Sequence, residues 1–314
     1  MKIAIFNPRD EFTSPQRERL ARLGQTVFTH DRKALPVGDL VKMARGAEVL
    51  MVDPDNVGGF EKGGERLIQI LEKTPEVKTL ALSTTSYGWV DLKYCRDRGI
   101  SVCNIPGYSR EAVAEHVLAL LLCLAKRVIV TDRKTQKGKY QLEMGFELAG
   151  KTLGVIGLGS IGSRVAELGQ GIGMMVIAYN RSPKAQKGVE MVSLKELFRR
   201  SDAISINVKA CAETVDMIGK NELALVKRGV IVVNTADRSI VDEKAMAIAL
   251  KSGRVGSYGF EGGDLDHGPL SSLENAVGLK GFGWYTKEAL ERLKEIWIGN
   301  VEAALAGKPR NVVN

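Results

Sequence analysis

Short runs of β-branched and other apolar residues alternate with longer amphipathic stretches from the first residues onward. Ile3 to Asn7, Thr26 to Thr29, Val49 to Asp53, Thr79 to Ser83 and Ser101 to Ile105 are predicted strands, with helical spacing in the gaps. Ser14-Pro15 is a good helix opening, because Ser can cap free amides and Pro tolerates the first turn. Val117 to Ala125 reads as a buried helix. A second alternating series then begins, with strands at Thr152 to Gly157, Met175 to Asn180, Ala203 to Val208, Val230 to Thr235, Gly256 to Phe260 and Ala276 to Phe282. Alternation of this kind predicts parallel sheets with crossover helices. The last predicted helix, Thr286 to about Ala306, has the length and apolar spacing to pack back on the first series, so that domain is expected to be discontinuous.

Composition narrows the picture without changing it. At 314 residues the chain exceeds what one core usually serves, which favours two domains. The apolar run Val117 to Ala125 is closed by His116 on one side and Lys126-Arg127 on the other, too short to cross a bilayer. The first residues lack the features of a signal peptide, and a cytoplasmic location is expected. Cys95, Cys103, Cys123 and Cys211 are scattered, without the close pairs of metal or redox motifs, and are read as reduced and mostly buried thiols. The net charge of +8 is spread among acidic residues and forms no basic block. It suggests a mild attraction for anionic small molecules, with neither nucleic acid nor membrane as partner.

The first motif with chemistry is Gly157-Leu-Gly159-Ser160-Ile161-Gly162, which follows an apolar strand and opens a helix. Gly157 permits the tight turn, Gly159 lets backbone approach a pyrophosphate, and Gly162 allows close helix packing. The free amides and positive dipole of the helix start then favour the anion. The next strand ends at Asn180-Arg181-Ser182, where an NAD site normally has a carboxylate for the ribose. Asn180 removes repulsion toward a 2′-phosphate, while Arg181 and Ser182 offer a cation and a hydroxyl. NADP is therefore favoured over NAD. The alternative is that Arg181 stacks on adenine or points to water.

Several separated segments resemble the D-2-hydroxyacid dehydrogenase family. Asp91 to Tyr108 is similar to the segment leading into that family's interdomain hinge, and Ala112-Val-Ala-Glu-His116-Val-Leu-Ala-Leu-Leu121 to its next helix. Asn234-Thr235-Ala236 with Ile240-Val-Asp242-Glu243 resembles the strand end near nicotinamide, and Asn300 to Val313 the C-terminal helix and tail. The resemblance implies a flavodoxin-like substrate domain, residues 1–103 plus 287–314, and a Rossmann NAD(P)-binding domain, residues 104–286. Both would be doubly wound α/β domains with parallel sheets and an active cleft between them. It also implies a homodimer built by the helix and arm over about Val113 to Tyr140, and a small-molecule substrate. Thr235 and Ala236 would then line the cofactor site, with Glu261 at the place of the residue that binds the nicotinamide amide.

The family reduces 2-oxo acids with an Arg, a His and a Glu, and this chain departs at each place. Asp237 follows Asn234-Thr235-Ala236 where the Arg is expected, with Arg238 one place later, and neighbouring side chains of an extended segment point to opposite faces. Gly281 falls at the histidine and can transfer no proton. Asp266 falls at the Glu. In the substrate loop, Ser86 stands where the family has Gly, and Gly88 where it usually has Asp. The candidate catalytic residues are accordingly Arg238 to orient substrate, Lys280 to supply a proton if burial lowers its pKa, and Asp266 to tune the lysine. Surface exposure or a cofactor-phosphate contact explains Lys280 equally well. His267 is read as an exposed loop histidine. An oxidoreductase with an atypical catalytic site is the leading expectation, and a noncatalytic dinucleotide sensor or dimeric scaffold the alternative.

Overall fold

The computed structural model describes residues 1–182, 184–262 and 267–314. Two compact units divide the chain, Met1–Tyr108 with Lys287–Asn314, and Ser109–Thr286. The first runs β1 (Lys2–Pro8), α1 (Ser14–Leu23), β2 (Gln25–Thr29), α2 (Val37–Ala44), β3 (Val49–Val52), α3 (Gly59–Glu72), β4 (Thr79–Leu82), α4 (Leu92–Asp97) and β5 (Ser101–Cys103). The second runs α5 (Arg110–Ala125), α6 (Val128–Gln136), β6 (Thr152–Ile156), α7 (Ser160–Gly171), β7 (Met175–Tyr179), β8 (Val189–Met191), α8 (Leu194–Arg200) and β9 (Ala203–Ile206). It continues through α9 (Lys220–Leu225), β10 (Val230–Asn234), α10 (Glu243–Lys251), β11 (Val255–Glu261) and β12 (Ala276–Leu279). The closing helix α11 (Lys287–Leu305) belongs to the first unit.

In the first unit the strand order is β2-β1-β3-β4-β5, all parallel, which is the flavodoxin-like arrangement. β3 and β4 are buried along their whole length because helices cover both faces. On one face Leu40, Leu67, Ile70 and Leu80 form the core. On the other, α11 inserts Trp297, which is fully buried among Ile3, Phe12 and Met51 and donates its indole N–H to the carbonyl of Ala81 at 2.7 Å. Burying an indole of this size stabilises by about 2–3 kcal/mol, and the paired N–H avoids a desolvation penalty. Helix α1 is capped by Thr13, one residue before the expected Ser14. Thr13 and Gln16 exchange side-chain bonds as a capping box, and Pro15 occupies the first turn.

The second unit has seven parallel strands in the order β12-β11-β10-β9-β6-β7-β8, the doubly wound Rossmann arrangement. Strand order reverses between β6 and β9, so a crevice opens at their carboxyl ends. Two cores sandwich the sheet, one around Phe198, Ile204, Val232 and Phe260, the other around Leu120, Leu124, Val155 and Val233. Among the described residues no helix is long and apolar enough to cross a membrane. Cys95 and Cys103 are buried, Cys123 is partly so and Cys211 is exposed, so the expected burial holds for two of the four; all are unbridged.

Candidate functional site

The glycine loop stands at that reversal. Gly157 has φ +92°, and a Cβ there would lie 2.8 Å from Val208 Cγ1 and 2.9 Å from the carbonyl oxygen of Asn207. A side chain is excluded both by backbone conformation and by the end of β9. Gly162 is tighter still, with a Cβ falling 1.9 Å from the Gly157 carbonyl oxygen. Gly159 differs. Its backbone is extended, and a Cβ would meet no atom within 4 Å. Among the described residues no side chain caps α7 and no hydrogen bond takes up the amides of Ser160, Ile161 and Gly162, which open the helix beside that empty space. The polarity of this cradle fits a diphosphate, since free amides and the helix dipole both favour an anion, and the open space at Gly159 leaves the backbone approachable.

Asn180, just beyond β7, ties the loop together. Its Oδ1 accepts the Leu158 N–H at 3.1 Å, and its Nδ2 donates to the Ser182 carbonyl at 2.8 Å. The amide thus supports the glycine loop and presents Arg181 and Ser182, both exposed, beside it. Lys184 Nζ reaches the Leu158 carbonyl and lies 3.4 Å from Ser163 Oγ. This second cation escaped the sequence reading, although the run Arg181-Ser182-Pro183-Lys184 carried the signal.

At the end of β10, Asn234 is buried and donates to the carbonyl of Asp237 at 3.0 Å while its Oδ1 accepts the Ala236 N–H at 3.0 Å. That fold of the backbone turns Thr235 and Ala236 past the sheet edge. Asp237 then accepts from the Ser239 N–H and hydroxyl at 2.9 and 2.7 Å. It caps a 3₁₀ turn, Arg238–Ile240, where an extended segment was expected. Inside this turn Arg238 runs back over the Phe260 ring, 5.4 Å from its centre, and binds Glu243 through Nε at 2.6 Å and Nη2 at 2.9 Å. A paired donor fork of this kind is strongly directional.

Glu261, the last residue of β11, accepts the N–H groups of Phe282 and Gly283 through Oε1 at 3.0 and 2.8 Å. His116 Nε2 of α5 stands 3.2 Å from the same oxygen. Burial would raise the Glu261 carboxyl, but His116 and the two amides outweigh it and hold the group below the usual carboxylate range. Lys280 is exposed one residue beyond β12. Asp266 lies outside the described residues, and Arg238 is joined to Glu243, not to Lys280. At Gly281 a Cβ would meet open space. In the first unit, the Ser86 carbonyl accepts from Thr84 Oγ1 at 2.7 Å and Trp89 Nε1 at 3.1 Å, which folds the 84–89 loop on itself.

Ser160, Ile161 and Gly162 form the first turn of α7, and the other cofactor candidates lie at or just past the carboxyl ends of β6, β7, β10 and β11. In a parallel sheet those ends share one edge, where ligands of this fold bind. Among the described residues there is no group of three or more His, Cys, Asp or Glu side chains able to hold a metal ion.

Residues 118–293 match the family model described as D-isomer specific 2-hydroxyacid dehydrogenase, NAD binding domain. A glyoxylate reductase of Thermococcus litoralis is 34% identical over 302 residues, covering 90% of this chain and 88% of its own. Among solved structures, an acyclic imino acid reductase in complex with NADPH and D-Arg has a TM-score of 0.86 and 30% identity, with both chains covered in full. A D-lactate dehydrogenase of Aquifex aeolicus, complexed with NAD and lactic acid, has a TM-score of 0.78 and 29% identity over 98% of this chain and 96% of that one. With a glycine cradle at the strand reversal and a family match over more than half of its length, the chain belongs to the D-isomer specific 2-hydroxyacid dehydrogenase family and carries its NAD-binding Rossmann fold.

Proposed function

We propose that this protein is an NADPH-preferring reductase of a small acidic substrate, with an atypical catalytic site. The second unit is its coenzyme domain and the first its substrate domain, and it works as a homodimer in the cytoplasm. The observation that carries the cofactor preference is Asn180. Its amide, committed to Leu158 and Ser182, stands in place of the ribose-binding carboxylate that would repel a 2′-phosphate, and Arg181, Ser182 and Lys184 follow it in the chain, Lys184 Nζ lying 3.4 Å from Ser163 Oγ. Gly157, Gly159, Ser160, Ile161 and Gly162 would hold the diphosphate, with Thr235, Ala236 and Glu261 toward the nicotinamide end. The bound nicotinamide supplies a hydride. A carbonyl accepting it also needs a proton, and the chain's own donor would be Lys280, which is exposed and needs bound ligand to cover it, tuned by Asp266, with Arg238 orienting the substrate. The Arg238–Glu243 pair would have to open for that role.

A second reading is favoured by the likeness to the imino acid reductase. A protonated carbon–nitrogen double bond already carries its proton, so hydride alone completes the reduction. Gly281 in place of a proton donor is then no handicap, and the anionic Asp237 suits a cationic substrate better than a carbonyl. The test follows NADPH oxidation with glyoxylate, pyruvate and hydroxypyruvate, each alone and with added ammonia or an alkylamine. Turnover with the 2-oxo acid alone, abolished by Lys280→Ala, supports the carbonyl reading. Turnover only with amine, and indifferent to Lys280→Ala, supports the imine reading. Binding of NADPH without turnover of any mixture supports a noncatalytic sensor, and tighter binding of NADH than of NADPH refutes the cofactor preference.

A further inference from the structure

The contact between α5 and the end of β11 is chemically odd. His116 and Glu261 leave only 13% and 10% of their side chains exposed, yet the 3.2 Å approach of Nε2 to Oε1 is too bent for a well-formed hydrogen bond. The imidazole nitrogen is buried without an aligned partner. Phe282 packs edge-on against the ring, 4.9 Å between centres, and a Cβ at Gly283 would fall 2.8 Å from His116 Cδ2. The ring is therefore wedged in one place. Two backbone donors, the N–H groups of Phe282 and Gly283, converge on Oε1, with His116 Nε2 held 3.2 Å from the same oxygen, while among the described residues no hydrogen bond goes to Oε2.

We propose that His116 is a positioning residue for the cofactor. By pinning Oε1 it holds Glu261 so that Oε2 accepts an amide N–H from the ligand at the carboxyl end of β11, the donor being the carboxamide of nicotinamide. A carboxylate held in this way accepts without having to reorganise, and its charge strengthens the bond. The inference rests on the dinucleotide reading given above and goes beyond it by assigning His116.

The test measures dissociation constants for NADPH and for 2′,5′-ADP, which lacks nicotinamide, by calorimetry on the whole protein. His116→Leu weakens NADPH about tenfold and leaves 2′,5′-ADP unchanged, the loss expected of one charge-assisted hydrogen bond. His116→Gln keeps an N–H donor at a similar reach and recovers NADPH binding to within about threefold. Should His116→Leu not fold, Glu261→Gln removes the charge at constant shape and gives the same selective loss. Unchanged NADPH affinity, or equal weakening of both ligands, overturns the positioning role. Wild-type protein that binds neither ligand overturns the dinucleotide reading itself, a distinguishable failure.

Discussion

Gly159 and Gly162 stand three residues apart in one loop, and the structure gives them different reasons to be glycine. At Gly159 the backbone has φ −69° and ψ −164°, which any residue adopts, and a Cβ would meet nothing within 4 Å. Gly159→Ala should therefore leave the fold intact, or stabilise it by about 0.4–1 kcal/mol through the reduced freedom of the unfolded chain. The same methyl enters the space beside the unpaired amides. If a diphosphate must approach there, overpacking of about 1–3 kcal/mol weakens NADPH roughly 5- to 150-fold. At Gly162 the position reverses. A Cβ 1.9 Å from the Gly157 carbonyl, where ordinary contact begins near 3.4 Å, forces α7 off the loop whether or not ligand is present. Gly162→Ala should lower the melting temperature by roughly 3–10 °C. Thermal unfolding and calorimetric titration with NADPH on both variants separate the two effects. A Gly159→Ala protein that melts normally and binds NADPH as tightly as wild type would show that the cradle does not hold the diphosphate.

Two further outcomes are expected. In the first unit burial pushes the Lys294 ammonium down to about 8, against the pull of Glu11 and Asp53. The folded chain thus binds this proton more weakly than the unfolded one. Its penalty is fully present below pH 8 and is relieved as pH rises toward the ordinary lysine value of 10.5, so stability should climb by up to about 3 kcal/mol across that window. Urea melts of wild type and Lys294→Met at both pH values check this, and an equal change in the two proteins refutes it. The arm after α6 leaves Tyr140, Leu142 and Met144 at 93%, 83% and 95% exposure, more contiguous apolar surface than a lone chain usually displays. If it builds a homodimer, replacing all three by Ser should shift sedimentation from dimer to monomer without lowering helix content; a wild type that sediments as a monomer removes the proposal.

Much of the architecture was local and therefore legible in the sequence. Alternating β-branched runs and amphipathic helices set the parallel sheets, because side-chain period follows backbone geometry within a few residues. Eleven strands could be placed in this way; β8 escaped because Val189–Met191 is three residues long at a sheet edge, with Glu190 and Met191 exposed. The cradle was legible for the same reason, since Gly162 meets the Gly157 carbonyl across a single turn. What only the tertiary structure decided were the directions and partners of long polar side chains. The backbone turns into a 3₁₀ helix after Asp237, which sends Arg238 to Glu243 instead of across a strand. His116 and Glu261, or Lys294 and Asn7, are far apart in sequence and meet only when a helix packs against a sheet. No periodicity encodes such pairs, because ionic partners are selected by burial and proximity in the folded chain and not by spacing along it.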